Sequence, residues 1–344
     1  MDFEKMGFRR VKLAETPTPF EEAPRFSKAV GGPRIFLKRD DATGLALGGN
    51  KARKLELLMG EALELGVDTV ITCGGPQSNH ARMTAAAARK LGLHPVLVLD
   101  GDDPGKREGN LLLDHLLGAE IIFSGHRSSG DLLDEVKDMV IARGGKPYVI
   151  PLGGSNAFGA LAYIECMEEI VGQCKSLGVL PKALYVASGS VGTLAGLIMG
   201  KVIFGAGLTI KGKAVSPGAE AKAQRTVQLM TEALSLLRSR VPSVGADLAR
   251  LLNMSVESLS ELVDIDDRQV GEGYAIPTEA GLEAIRLLAR TEGVLTDPVY
   301  TGKALAGLVK DARDGLYSRD DAVIFLHTGG VPSDFAFHEI LSRQ

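Results

Sequence analysis

The chain has no tryptophan, only three cysteines and 5% aromatic residues in 344 positions. Cys73, Cys166 and Cys174 are too few and too scattered for a disulfide framework, and none forms a Cys-x-x-Cys pair. That usage suits a reducing, cytoplasmic compartment. Cys73, at the end of a predicted strand, reads as a small packed hydrophobe. Positive charge is not in excess either. There are 39 Lys and Arg against 43 Asp and Glu, a net charge of −4. Neither nucleic acid nor an anionic membrane is therefore an expected partner. The opening stretch MDFEKMGFRRVKLAETPTP mixes acids with bases and has no apolar run, so it does not read as a signal peptide. Residues 183–200 carry no charge over 18 positions, near the minimum for a membrane span. They include Ser188, Gly189, Ser190, Gly192, Thr193 and Gly196, which a strand, a loop and a buried helix use better. His, Cys, Asp and Glu show no metal-site spacing.

Glycine is what the chain has in plenty: 42 residues, against a typical share of roughly 7%. They have no period, but they fall repeatedly after short apolar runs. Residues 68–73 (DTVITC) lead into GGPQSNH and then ARMTAAAARKLG. PYVIPL (147–152) leads into GGSN and a helical stretch, ALYVA (183–187) into SGSVGT, and AVIFL (322–326) into HTGG. HPVLVL (94–99) and EIIF (120–123) are further strands between helical patterns. Continuous β-branched runs alternating with helices predict an α/β fold whose mostly parallel sheets are covered on both faces. Ligands in such sheets sit at the carboxyl ends of the strands, where these four polar loops fall. The length suggests two domains or one large one.

Asn50 is a candidate cap for a helix that opens on Lys51 and runs to Gly66, with Leu55, Leu58, Met59, Ala62 and Leu63 at helical spacing. PTEAGLEAIRLLAR (277–290) is a second helix, and 220–262 is an amphipathic helical scaffold. Lys51, Arg53 and Lys54 place three cations at the positive end of the helix dipole, each mildly unfavourable there. Either this is a solvated basic turn or an anion sits nearby. The helix start also lowers the pKa of Lys51, which suits a lysine that attacks a carbonyl. In SGSVGTLAG, Gly189 and Gly192 let backbone N–H groups approach a ligand at a helix start. The loop is neither Walker A nor GxGxxG, so a single phosphate fits better than a nucleotide. In QSNH, Ser78 and Asn79 cap the next helix, although four hydrogen-bonding side chains exceed what a cap requires. Tyr274 in GEGYAIP, Tyr300 in TDPVYTG and Thr328 in LHTGG lie in loops, where site residues gather.

Together, LALGGNKARKLE, GGPQSNHARMTAAAA, SGSVGTLAG, GYAIPTEAG, DPVYTGKA and LHTGGVP resemble one family in its motif order, from about Thr16 to Pro332. The chain is similar to the pyridoxal-phosphate enzymes of the tryptophan-synthase-β type (fold type II). Within them it resembles the branch of D-cysteine desulfhydrases and 1-aminocyclopropane-1-carboxylate deaminases. The resemblance implies two three-layer α/β domains with pyridoxal 5′-phosphate in the cleft between them. A large cofactor-binding domain would comprise 1–53 plus 166–344, with 54–165 inserted as a small domain. It also implies a homodimer acting on a small amino acid. Lys51 matches the family's Schiff-base lysine, and Asn79 the residue that bonds the cofactor's ring hydroxyl. Gly189, Ser190, Val191, Gly192 and Thr193 match the phosphate cradle, with Lys54 a basic residue near it. Ser78 matches the residue beside the substrate carboxylate, which is given acid/base roles, and Tyr274 and Tyr300 match substrate-side tyrosines.

Two positions separate activities within that branch. The deaminases resemble YEG and HLGG, with the Glu contacting the pyridine nitrogen, where this chain has Thr301 and Thr328, as in the desulfhydrases. A carboxylate keeps the nitrogen protonated and the ring a strong electron sink, whereas a hydroxyl only hydrogen-bonds it. Opening a cyclopropane should need the stronger sink, and losing a thiolate the weaker. The resemblance therefore implies α,β-elimination. The amino acid displaces Lys51, a base (Lys51, Ser78 or Tyr274) removes the α-proton, the β-substituent leaves, and hydrolysis gives pyruvate and ammonia. D-cysteine is the expected substrate. L-cysteate is the runner-up, for which Arg82 could bind the sulfonate, and the cyclopropane amino acid is third. A non-catalytic phosphate-binding α/β protein would use the glycine loops equally well, but it has no need of Lys51.

Overall fold

The computed structural model describes Met1, residues 3–240 and residues 246–343. Ten strands are formed: β1 Phe20–Glu22, β2 Arg34–Lys38, β3 Thr69–Gly74, β4 His94–Leu99, β5 Glu120–Phe123, β6 Pro147–Ile150, β7 Pro181–Ser188, β8 Thr209–Ala214, β9 Asp264–Asp266 and β10 Ala322–Leu326. They make two sheets, one of six strands in the order β1-β2-β10-β7-β8-β9 and one of four in the order β5-β4-β3-β6. Only β1–β2 is antiparallel, and every other pairing between these strands is parallel. The predicted α/β architecture is thus the observed one. β3 and β10 are buried along their whole lengths, which is why they read as continuous apolar runs.

Helices cover both faces of each sheet. The larger core joins the six-stranded sheet to the helices Ala157–Leu177 and Gly192–Ile203. On the opposite face the helices Glu279–Glu292 and Thr301–Arg313 close a second core. The four-stranded sheet packs the helices Lys51–Glu64 and Asn79–Lys90 on one face and Leu133–Ala142 on the other. Gly192, Gly196 and Gly200 recur at four-residue spacing and let two helices touch. A Cβ at Gly196 would come within 2.1 Å of the Ala160 carbonyl oxygen. The uncharged run 183–200 therefore divides between β7, a loop and this buried helix, and no helix among the described residues is long and apolar enough to cross a membrane.

Some expectations are corrected. Asn50 occupies the cap position of the Lys51 helix but makes no capping bond, because its side chain is engaged elsewhere. That helix ends at Glu64, with Gly66 beyond it at φ +64°. The second clear helix starts two residues later than expected, at Glu279, capped by Thr278 onto the Gly281 N–H. Segment 220–262 is not one scaffold helix. It comprises the end of Ala219–Arg240, then Ala246–Leu252 and Val256–Ser260, and 241–245 lie outside the described residues. All three cysteines are buried thiols.

Candidate active site

The carboxyl ends of β3, β4, β6, β7, β8 and β10 converge on one cavity of about 240 Å³. Gly75, Ser78, Asn79, His80, Asp100, Leu152 and Gly153 line it from the four-stranded sheet. Ala187, Gly189, Ser190, Val191, Thr193, Val215, Ser216, Tyr274, Tyr300 and Thr328 line it from the six-stranded sheet, and Asn50 and Lys51 stand between.

Lys51 opens its helix with its amine on the cavity, donating to Asn50 Oδ1 at 2.9 Å. Asn50 Nδ2 in turn donates to Thr193 Oγ1 at 3.0 Å. A residue expected as a cap therefore ties the lysine to the glycine loop 143 positions away. Burial of the amine, aided by the nearby Arg82 guanidinium, lowers the Lys51 pKa to about 8.

The glycine loop is built as an anion cradle. Val191, at the cap position before its helix, lies in the left-handed region at φ +56°, a strained choice for a β-branched residue. The backbone N–H groups of Ser190, Val191 and Thr193 have no partner among the described residues. Ser155, from the GGSN loop after β6, braces the cradle. Its hydroxyl bonds Ser190 Oγ at 2.7 Å and accepts from the Gly192 N–H at 3.2 Å. Beneath lies Lys54, 1% exposed, donating to the Gly153 carbonyl at 3.1 Å and to Ser155 Oγ at 3.2 Å. Among the described residues it has no carboxylate partner. Burial, with Lys51 nearby, pushes its pKa well down. A Cβ at Gly192 would stand 2.9 Å from Lys54 Nζ, so only glycine leaves the cradle open to that amine. A buried ammonium costs several kcal/mol unless an anion neutralises it, on the order of what an ion pair supplies. These residues fit a single phosphate.

On the other wall Ser78 caps the Asn79 helix by accepting the Ala81 N–H at 3.2 Å. Asn79 Oδ1 accepts from Asn110 Nδ2 at 2.9 Å, which turns its own amide N–H₂ free of that bond. His80 bonds Thr72 Oγ1 at 2.8 Å, and burial keeps the ring neutral. The Tyr274 and Tyr300 hydroxyls bond one another, their rings edge-on with centroids 5.9 Å apart. Burial holds the Tyr300 phenol well above its ordinary pKa, so it stays protonated.

Lys51, Ser78, Asn79, Gly189, Ser190, Val191, Thr193, Tyr274, Tyr300 and Thr328 therefore share one cavity, and Lys54 and Gly192 lie directly behind the cradle. Thr301 does not line it. It is fully buried, and its hydroxyl donates to Asp297 Oδ1 at 2.5 Å. Arg82 is also outside the cavity. Fully buried, it donates to the Gly48 carbonyl at 3.1 Å and to the Ala46 carbonyl, holding the loop before Lys51 rather than facing a sulfonate. Asn50, Asp100, Ser155 and Ser216 were missed by sequence reading. Asp100 and Ser155 each stand just past a predicted strand, where the strand-end rule could have found them.

A parallel α/β fold with a buried lysine of lowered pKa facing a loop of unpartnered N–H groups fits a class: enzymes that hold a phosphorylated aldehyde cofactor through a lysine. Residues 11–329 match the model of the pyridoxal-phosphate dependent enzymes, and the chain belongs to that family. It is similar to a solved structure titled as an ACC deaminase homologue, with 37% identity, TM-score 0.84, and coverage of 97% of this chain and 95% of that one. Two threonine deaminases share the fold. The one titled as from T.th. is 22% identical with TM-score 0.64, covering 91% of this chain and 92% of that one. The processed form of isoform 2 from Solanum lycopersicum is 16% identical with TM-score 0.65, covering 98% and 85%. The protein is a pyridoxal-phosphate-dependent enzyme.

Proposed function

We propose that the enzyme catalyses α,β-elimination on a small sulfur-bearing amino acid, D-cysteine first, releasing sulfide, pyruvate and ammonia. Pyridoxal phosphate, when bound, supplies an aldehyde that links to an amine and a ring that delocalises the negative charge developing at Cα. The chain supplies the rest. The N–H groups of Ser190, Val191 and Thr193, with Lys54 behind them, would hold the phosphate. The amide N–H₂ of Asn79, aimed by Asn110, would donate to the ring hydroxyl. Lys51, with a pKa of about 8, has a substantial neutral fraction at pH 7–8 and can take the α-proton at Nζ. Ser78 and the N–H groups opening the Asn79 helix would receive the substrate carboxylate, and the Tyr300 hydroxyl, kept protonated, would donate to the departing group.

The observation that carries the choice of elimination over ring opening is Thr328. It lines the cavity with its hydroxyl unpartnered among the described residues, and no carboxylate lines that wall. The Thr301 hydroxyl is already donated to Asp297. A thiolate leaves readily, and a ring nitrogen that met the Thr328 hydroxyl rather than a carboxylate would suffice. A second reading, opening of the cyclopropane amino acid, has the 37%-identical ACC deaminase homologue in its favour. With the elimination reading goes a homodimer, as the resemblance implies, in a cytoplasmic compartment, as the cysteine usage implies.

The test is product analysis of purified, cofactor-loaded protein given D-cysteine, L-cysteate and 1-aminocyclopropane-1-carboxylate in parallel. Sulfide and pyruvate from D-cysteine support the proposal. Sulfite from L-cysteate moves the substrate but keeps elimination. 2-Oxobutyrate from the cyclopropane substrate alone overturns the argument from Thr328.

A further inference from the structure

We propose that Asp100 sets the charge specificity of the cavity, favouring amino acids with a neutral or cationic β-substituent over those with an anionic one. The inference rests on the reading that the cavity takes an amino-acid substrate. It starts from the register of the small sheet. β3 and β4 pair in parallel with Gly74 level with Leu99, so Gly75 and Asp100 leave the sheet side by side. The Asp100 N–H donates to the Gly74 carbonyl at 2.9 Å, which fixes its backbone against the turn that carries Ser78. Its side chain is fixed as well, since Oδ1 accepts the Ser129 N–H at 2.9 Å. No Lys, Arg or His pairs with this carboxylate among the described residues. It therefore faces the cavity without a counter-ion.

The remaining lining sharpens the consequence. Lys51 and Asp100 are the only charged side chains among the described residues lining the cavity, because burial keeps His80 neutral. In this reading the Lys51 amine, displaced by the substrate, acts in its neutral form, which its pKa of about 8 allows. Lys54 and Arg82 lie behind the walls, bonded to backbone carbonyls. The substrate α-carboxylate has the start of the Asn79 helix to receive it, but a second anionic group finds no cation and meets Asp100. Selection then works by repulsion of the wrong substrate rather than by an added contact to the right one. A sulfonate, phosphonate or second carboxylate at Cβ would be rejected, whereas a thiol, a halide or an amine would not.

Aspartate and asparagine, in each enantiomer, are matched in shape and differ in charge. Their affinities for the cofactor-loaded enzyme can be read from the change in its visible absorption, without turnover. Asp100→Asn keeps an oxygen for the Ser129 N–H, so the fold is undisturbed. The expected result is preference for asparagine in the native enzyme and a rise of at least about tenfold in the aspartate-to-asparagine affinity ratio in D100N, equivalent to about 1.4 kcal/mol. Asp100→Lys should carry the ratio further. A ratio unchanged within about twofold in both variants overturns the proposal. If the ratio shifts while D-cysteine yields no pyruvate, the elimination reading fails and the role of Asp100 stands. If D-cysteine is turned over and the ratio is unmoved, only Asp100 is misassigned. If neither amino acid perturbs the spectrum, the proposal for Asp100 fails, and D-cysteine turnover alone decides the elimination reading.

Discussion

Arg53 and Lys54 are consecutive residues on one helical turn, 3% and 1% exposed, and they live in opposite electrostatic worlds. Arg53 Nε donates to Asp40 Oδ2 at 2.9 Å, and its two terminal nitrogens each reach Glu169 at 2.8 Å. Lys38 joins the same cluster through Glu169 at 2.7 Å, and the Tyr163 hydroxyl donates to Asp40 at 2.6 Å. These partners hold the Arg53 guanidinium well above its ordinary pKa. Lys54 has only a carbonyl and a hydroxyl and is driven the other way. Burial alone therefore does not identify a functional cation. What sets Lys54 apart is burial without a carboxylate directly behind the open cradle, where Arg82, equally buried, braces a loop. One side of the turn anchors the helix to the large sheet's core, and the other waits for a charge that the chain does not supply.

Breaking each side should give opposite phenotypes. Arg53→Met strands Asp40, fully buried, and Glu169 without their main cation. Removing one partner of such a cluster costs about 3–5 kcal/mol, the largest effect expected here and measurable from the urea unfolding midpoint. Because Asp40 is held below its ordinary value of 3.8, its contribution is present above ~pH 4. It is lost as pH falls through the lowered folded value, and R53M should remove that acid-side dependence. Lys54→Met should leave the cofactor-free protein as stable or more stable, since the cost of burying an amine without a carboxylate is gone. It should weaken pyridoxal phosphate binding by about 10–100-fold, the worth of one charged hydrogen bond at roughly 1.5–3 kcal/mol. Equilibrium dialysis decides it. A destabilised K54M with unchanged cofactor affinity would erase the contrast between the two residues.

Lys51 sharpens the same comparison through pH. Only the neutral amine attacks a carbonyl. With the folded pKa lowered to about 8, the initial rate of cofactor attachment should rise roughly tenfold per pH unit below 8 and level off above it. Borohydride fixation followed by mass analysis of the Lys51 peptide gives the rate. Arg82 contributes a positive charge that disfavours the ammonium, so Arg82→Met should move the midpoint upward, toward the ordinary lysine value of 10.5. A midpoint that stays at about 8 would leave burial as the whole cause.

The sequence reads well where the physics is local. β4, β5 and β10 fall at the bounds their apolar runs predict, and Ser78 makes the cap expected of it. The SGSVGT loop opens a helix at a strand end, as its glycines require. What escaped is non-local. The basic turn could be read as solvated because the partners of Arg53 lie 13 positions upstream and 116 downstream. Asn50 looks like a cap until Thr193 is placed beside it, 143 residues on. Ser155 braces a loop 35 residues away, across the gap between the two sheets. No periodicity carries that information.

Asn110 does not line the cavity but bonds Asn79, which does, and its test has the smallest expected effect. Its amide donates both to the Gln77 carbonyl and to Asn79 Oδ1, each at 2.9 Å, and its own N–H is held by Gln77 Oε1 at 2.9 Å. This pins the oxygen of Asn79 away from the cavity and leaves the amide N–H₂ as the group presented. Asn110→Ala removes the pin, and the Asn79 amide can then rotate to offer its oxygen, which cannot donate to a ring oxygen. One neutral hydrogen bond is worth about 0.5–1.5 kcal/mol, so cofactor affinity should fall about two- to tenfold. The cofactor's absorption maximum should shift as well, because the ring hydroxyl loses its donor. A loss of stability with the absorption band unmoved would make Asn110 a packing residue and nothing more. A shifted band at unchanged stability would show that the wall carrying Ser78 is oriented from behind, as the cradle wall is by Ser155.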